Sequence, residues 1–345
     1  PVAAVLALAV GLTAAPKVRA QRGADDPYKV LKTVKAGGDG GFDYVYADGP
    51  GRRLYIPRSG GTPRIMLFNL DTLAPVGEIP KVGARGAVVD QASHHGFASS
   101  KPVAMWDPQT LAVLKTIDVQ GNPDGIMSDP FNGRIYVFSH IAPHATVIDA
   151  KDGTVVGTMD LGGAPEQAVT DGKGHIYVAL EDKDSVAAID ARTLTVTARF
   201  PLDGKGGGPA GLGFDAAHGI LFVGCHDPHT MVMMDARNGR IIDALPIGIG
   251  VDGTLFNPAT QEAFSSQGDG TLTIVKEDSP STFRVVQNLK TMTRPKTLTL
   301  DPKTNQILLI AAEYAAPPAP APAPGGRAGR GEMVPDSFSI LLVGR

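Results

Sequence analysis

A repeat of about 43 residues runs through most of this chain and constrains its fold more than any other feature. Three copies align over their cores: GRIYVFSHIAPHATVIDAKDGTVVGTMDLGG from Gly133, GHIYVALEDKDSVAAIDARTLTVTARF from Gly174 and GILFVGCHDPHTMVMMDARNGRIIDALPIG from Gly219. Each reads as an apolar strand, a polar turn, a second strand ending in Asp, another turn and a third strand. The closing acids are Asp149, Asp190 and Asp235, and Ile135, Ile176 and Leu221 each lie fourteen residues before them. Pro123, Pro165 and Pro209 mark turns 42 and 44 residues apart, and Pro295 follows two periods later. Weaker copies occupy residues 42–79, 84–119, 251–289 and 294–343, which makes seven units.

A period near 43 belongs to four-stranded blades arranged radially. The two-residue alternation of apolar side chains, with 42 Gly and 28 Pro, excludes a helical solenoid. The expected fold is therefore all-β, a seven-bladed β-propeller of four-stranded blades. The last unit lacks a fourth strand after FSILLVG, while residues 28–34 (YKVLKTV) stand unpartnered before the first unit. Pairing 28–34 with 337–343 would close the ring and remove both exposed edges. The pattern IYV…ID…T(V/L)xVxT…GxxPxG, seen at Ile135-Tyr136-Val137 and Ile176-Tyr177-Val178, resembles the YVTN-type repeat of the YncE-like seven-bladed β-propellers. That resemblance covers nearly all of the chain after Tyr28. It implies a fold rather than an activity, because propellers host binding proteins, lactonases and redox enzymes alike.

Outside the repeat, residues 1–20 (PVAAVLALAVGLTAAPKVRA) read as a partial signal peptide. The apolar run at 2–15 is too short to span a bilayer, and Val18-Arg19-Ala20 resembles a small-x-small cleavage site. Residues 21–27 then form a linker, residues 28–345 the propeller, and the expected location is periplasmic or secreted. Removing Lys17 and Arg19 with the signal leaves 30 basic against 35 acidic side chains. A mildly acidic chain with no basic cluster is unsuited to nucleic acid. No other apolar run approaches membrane-spanning length. The single cysteine, Cys225, cannot form an internal disulfide, so stability rests on packing alone. Residues 313–338 (EYAAPPAPAPAPGGRAGRGEMVPDSF) insert a Pro/Ala/Gly-rich loop into the last blade, extended in its Ala-Pro half and flexible in its Gly/Arg half.

In such a ring, the turns leading into each first strand and those joining second to third strands share one face. The alignment puts His140, Glu181 and His226 in one register on that face, with Asp124, Glu166 and Asp252 in the turns leading in. Arg58, Arg85 and Lys296 act as counter-charges, and these nine residues are the candidate ligand-binding funnel. The stretch GCHDPH adds a weaker metal reading through His226 and His229, which can converge across a turn. Strand alternation sends Cys225 and His226 to opposite faces, so both cannot serve one ion. His140 and His226, two blades apart, are expected to lie too far from each other for joint ligation. His94-His95 falls on the opposite face and is expected in solvent.

No haem, P-loop, zincin or nucleophile-elbow motif occurs, and Trp106 alone cannot supply a tryptophan docking repeat. The leading expectation is an exported, monomeric, non-catalytic propeller that binds a small molecule or protein partner at its upper funnel, without a resident cofactor. Two alternatives stay open. One is a lactonase-like hydrolase or metal-dependent oxidoreductase using Asp124, Glu166, Asp252 and the His226/His229 pair with a divalent metal. The other is a metal or redox partner acting through Cys225, His226 and His229.

Overall fold

The computed structural model describes residues 26–316 and 331–345, so the signal-peptide reading and the middle of the Pro/Ala/Gly-rich loop lie outside the described residues. It contains seven four-stranded antiparallel sheets arranged as the blades of a propeller. Six are formed by consecutive strands, beginning with blade 1 at Tyr46–Asp48, Arg53–Arg58, Arg64–Asn69 and Pro75–Pro80. The seventh combines Leu298–Asp301, Gln306–Ala311 and Ser339–Gly344 with Lys29–Lys35 from the other end of the described chain. The register runs from Lys29 opposite Gly344 to Lys35 opposite Ser339, one or two residues beyond the span read from the sequence. Tyr28 adds a clasp onto blade 6. Its hydroxyl donates to Glu262 Oε2 at 2.6 Å, its backbone N–H donates to Gln287 Oε1 at 2.9 Å, and Gln287 Nε2 donates back to Tyr28 O at 2.8 Å.

The repeat sequence explains the blade. Second and third strands are buried along nearly their whole length, as in Arg134–Ser139 and Ala145–Asp149, because both of their faces are covered by neighbouring blades. Fourth strands such as Val113–Ile117 are exposed except at one end. The core is therefore distributed between blades. Tyr136, Phe138, Val147 and Leu161 of blade 3 pack on Ile176, Val178, Leu180 and Ile189 of blade 4, and similar clusters repeat around the ring. Each such aliphatic side chain removed from water contributes about 1.5–3 kcal/mol. First strands crowd toward the axis, where space is shortest. A Cβ at Gly211 would lie 2.7 Å from the backbone nitrogen of Thr254 in the next blade. Glycine at that level lets the inner strands approach.

The GCHDPH stretch resolves into the end of the blade 5 strand Ile220–Cys225 and the turn after it. Cys225 is 1% exposed, and burial pushes its thiol up to about 12, which disfavours the thiolate needed for ligation or redox exchange. It is a core residue of the blade 4–5 interface.

Candidate functional site

The repeat places one side chain from each blade at the mouth of the axis. The residue after the turn proline, or its counterpart, is Asp43, Arg85, Asp124, Glu166, Ala210, Asp252 and Lys296 in blades 1 to 7. All seven line one cavity of about 700 Å³, together with Tyr44, His140, Glu181, Asp184, Gly208, His226 and Thr297. Eight of the nine funnel residues expected from the sequence thus meet in one place. His140 and His226, expected to lie too far apart for joint ligation, both line this cavity but share no three-donor cluster among the described residues.

Arg58 does not join them. It is 0% exposed, its guanidinium lies 4.1 Å from the Phe338 ring centroid, and it donates to Gly40 O at 2.8 Å and Gly37 O at 3.2 Å. The reason is register. Arg58 ends its strand at the position that Cys225 and Ser139 occupy in other blades, one residue short of the cavity-facing position held by His140 and His226. Burial lowers its pKa to about 10, with Arg64 adding to the effect. His229 is also outside the lining, exposed in its turn, and neither His226 nor His229 belongs to a three-donor cluster among the described residues. On the opposite face, His94 and His95 line a second hollow of about 580 Å³ between blades 1 and 2, His94 exposed and His95 half-buried with its Nδ1 3.0 Å from Ala150 O.

The cavity wall is a chain of alternating charge. Lys296 Nζ lies 3.0 Å from Asp252 and 3.3 Å from Asp43. Arg85 lies 2.8 Å from Asp43 and 3.4 Å from Asp124. His140 Nε2 lies 3.1 Å from both Asp124 Oδ2 and Glu166 Oε1. The chain breaks only at Ala210 of blade 5, beside which His226 faces Glu181 at 3.9 Å. Asp43 and Asp184 were not anticipated. Asp43 stands one period before Arg85, in a blade whose turn, like those before Arg85 and Asp252, lacks the marking proline, and Asp184 lies in a left-handed turn particular to blade 4.

These contacts set the protonation states. Asp124, followed by Glu166, holds the His140 pKa up at about 10, so the ring is an imidazolium at neutral pH. Burial pushes Glu166 up, and the His140 charge offsets part of that. Asp252 is likewise raised by burial and partly relieved by Lys296. Lys296 and Arg85 lose solvation, yet their acidic neighbours outweigh that loss and keep both firmly cationic. Beneath this layer Tyr44 is held neutral by burial and by the surrounding acids, Glu166 foremost. The Gln167 carbonyl oxygen accepts from Leu212 N–H at 2.8 Å and Thr254 N–H at 3.0 Å, tying blade 4 to blades 5 and 6. Tyr44, Glu166 and Thr297 also border a smaller void of about 300 Å³ further down the axis, lined by Ile126, Phe138, Leu255 and Leu298. The site is thus a polar bowl above an apolar plug.

Chemically, the bowl offers more acceptors than donors. It is lined by six carboxylates against Arg85, Lys296 and two histidines. Asp184 has no cationic partner among the described residues. The buried oxygens Asp124 Oδ1 and Asp252 Oδ2 accept no hydrogen bond among them. Asp124, His140 and Glu166 also bring three donor atoms within 4.8 Å of one another, a set with the composition of a metal site.

No protein-family profile and no curated protein matches the chain. Solved structures match it closely in shape. A chain in the crystal structure of the mitotic checkpoint complex superposes with a TM-score of 0.72 at 11% identity, covering 99% of this chain and 98% of that one. The WD40 repeats of RRP9 superpose with a TM-score of 0.69 at 10% identity, covering 87% and 93%. Such low identity carries the architecture and nothing finer, and the YVTN-type motifs remain a resemblance. The chain is a seven-bladed β-propeller.

Proposed function

We propose that this propeller is a non-catalytic binding protein whose upper bowl takes a polar ligand, or a segment of a protein partner, that presents a positively charged amine or guanidinium. The observation that carries this reading is the surplus of acceptors at the point where all seven blades converge. Six carboxylates answered by two cations and two histidines leave a surplus of negative charge, and a cationic donor entering the bowl would offset it beside Asp252 and Asp184. Arg85 and Lys296, held between carboxylates, leave room for an accompanying anionic group on the same ligand. Isothermal titration with arginine, spermidine and a short Lys-rich peptide tests this. Binding of one of them, weakened about tenfold or more in Asp252→Asn, is expected. Failure of all three, or binding indifferent to Asp252, overturns the reading.

One observation favours a second reading, a divalent-metal hydrolase or oxidoreductase centred on Asp124, His140 and Glu166. These residues would supply one nitrogen and two oxygen donors, and Asp252 a nearby carboxylate. The His140 proton competes with any ion for Nε2, which weakens this reading at neutral pH. Stoichiometric metal in protein purified without a tag, lost in His140→Gln, would establish it. Export is proposed on residues 1–20, and N-terminal sequencing of exported protein should begin near Gln21.

A further inference from the structure

A second cluster of the same donor types lies on the opposite face of the ring. Asp215 ends the inner strand of blade 5, Pro209–Asp215, and His218 stands in the turn that follows. Glu277 comes from blade 6, near the end of the strand Thr271–Ser279 and beside a register shift in its pairing. Asp215 is 3% exposed and Glu277 1% exposed. His218 Nδ1 lies 2.5 Å from Asp215 Oδ2 and 2.8 Å from Glu277 Oε1, while the side chain keeps 35% of its surface in solvent.

The contacts are unbalanced in a specific way. Most blades end their inner strand in an acid, and two of these acids take a hydroxyl from the next blade: Ser128 donates to Asp90 and Thr170 to Asp129, each at 2.8 Å. The equivalent residue facing Asp215 is Phe256, which cannot donate. Asp215 Oδ1 accepts its own Ala217 N–H, but neither oxygen of Glu277 accepts a hydrogen bond among the described residues. No described Lys or Arg forms an ion pair with either acid. The only ion-pair partner they share is His218. Two buried carboxylates therefore converge on one imidazole nitrogen, whose single proton can be given to only one of them. Even with the ring protonated, one negative charge stays uncompensated in a site that burial has stripped of water.

We propose that Asp215, His218 and Glu277 form a divalent-metal site of the zinc, cobalt or manganese class, clamping the blade 5 turn to blade 6. A 2+ ion in place of the imidazole proton neutralises both carboxylates at once. It takes one nitrogen and two or three oxygens at about 2.0–2.2 Å, which requires the donor atoms to spread only to about 3 Å apart. The half-exposed imidazole can move on its turn to allow that, and water completes the coordination from the solvent side. This inference is independent of what the upper bowl binds.

The test uses the His140→Gln protein, in which the upper three-donor cluster is broken. After chelator treatment and dialysis, Co²⁺ titration followed by visible absorption and Zn²⁺ titration by calorimetry should show one ion per chain, with proton release and a Zn²⁺-dependent rise in melting temperature. Adding His218→Ala, at an exposed position, or the near-isosteric Glu277→Gln should weaken that binding about tenfold or more and abolish the thermal response. Absence of stoichiometric binding in the His140→Gln protein overturns the proposal. So does binding that survives both additional substitutions.

Discussion

Two clusters in this propeller contain the same three side chains, Asp, His and Glu, and their surroundings give them opposite characters. Around Asp124, His140 and Glu166 the wall continues through Arg85, Asp43, Lys296 and Asp252, so negative charge is answered by cations built into the chain. Around Asp215, His218 and Glu277 no such continuation exists among the described residues. Both imidazoles are pushed toward the protonated form by their acids, but only the upper cluster is also stabilised by lysine and arginine side chains of the protein. In the lower one a buried acid lacks a donor. The donor types in a cluster do not settle what it will hold; the local charge balance does.

Removing the cation that anchors the upper chain is expected to have the largest effect. Lys296→Met leaves Asp252 and Asp43 facing each other with less compensation, and a loss of about 2–3 kcal/mol in urea unfolding at pH 7 is expected. An unchanged midpoint would mean that water already screens the bowl, and the contrast between the clusters would collapse. Next comes an exchange of glutamates for glutamines. In metal-free protein Glu277→Gln should stabilise by about 1 kcal/mol at pH 8, because it removes an uncompensated buried charge, and Glu166→Gln should stabilise less, because His140 already offsets part of the burial cost of Glu166. The sign at Glu277 follows from its raised pKa: the folded chain holds a proton that the unfolded chain releases, so its contribution falls as pH rises above the ordinary glutamate value of 4.5. Melting temperatures at pH 4.5 and pH 8 check this, and the advantage of Glu277→Gln should shrink at the lower pH.

The smallest effect belongs to His140. Its folded pKa of about 10 lies above the ordinary 6.5, so its stabilisation is fully present below about pH 6.5 and is lost as pH rises through 10. Because the side chain is 40% exposed, solvent screening limits the difference between the native protein and His140→Gln to about 1 kcal/mol or less. Urea midpoints for both proteins at pH 6 and pH 10.5 should converge at the higher pH. A constant gap would show that the ring acts by packing rather than by charge.

Much of the upper bowl was legible because it obeys the period. The turn into each first strand, marked by proline at Pro123, Pro165, Pro209 and Pro295, brings the residue after it to the axis, so Arg85, Asp124, Glu166, Asp252 and Lys296 could be placed by aligning the repeats. Asp43 stands one period before Arg85 and could have been placed by the same alignment. Arg58 was misplaced because one residue of register separates a buried strand end from a cavity-facing turn, and a charged residue invites the second reading. The lower cluster could not be read at all. It joins a turn of blade 5 to a third-strand residue of blade 6, and packing between blades leaves no trace in a periodic pattern. The blades themselves were readable through the repeat, most clearly where both covered faces of the middle strands demand apolar residues, as in Arg134–Ser139 and Ala145–Asp149.

The pairing of Lys29–Lys35 with Ser339–Gly344 also sets an order of events in time. Lys29 and Gly344 are 315 positions apart, so at about 5–20 residues per second the ribosome needs tens of seconds to make the partner of the first strand. Over that interval Lys29–Lys35 must wait as an unpaired ribbon, and four of its seven side chains are lysine or threonine facing water in the finished blade. A charged, half-polar strand is slow to pair with the wrong neighbour. The composition of this segment thus suits a nascent chain that cannot latch shut until its far end emerges.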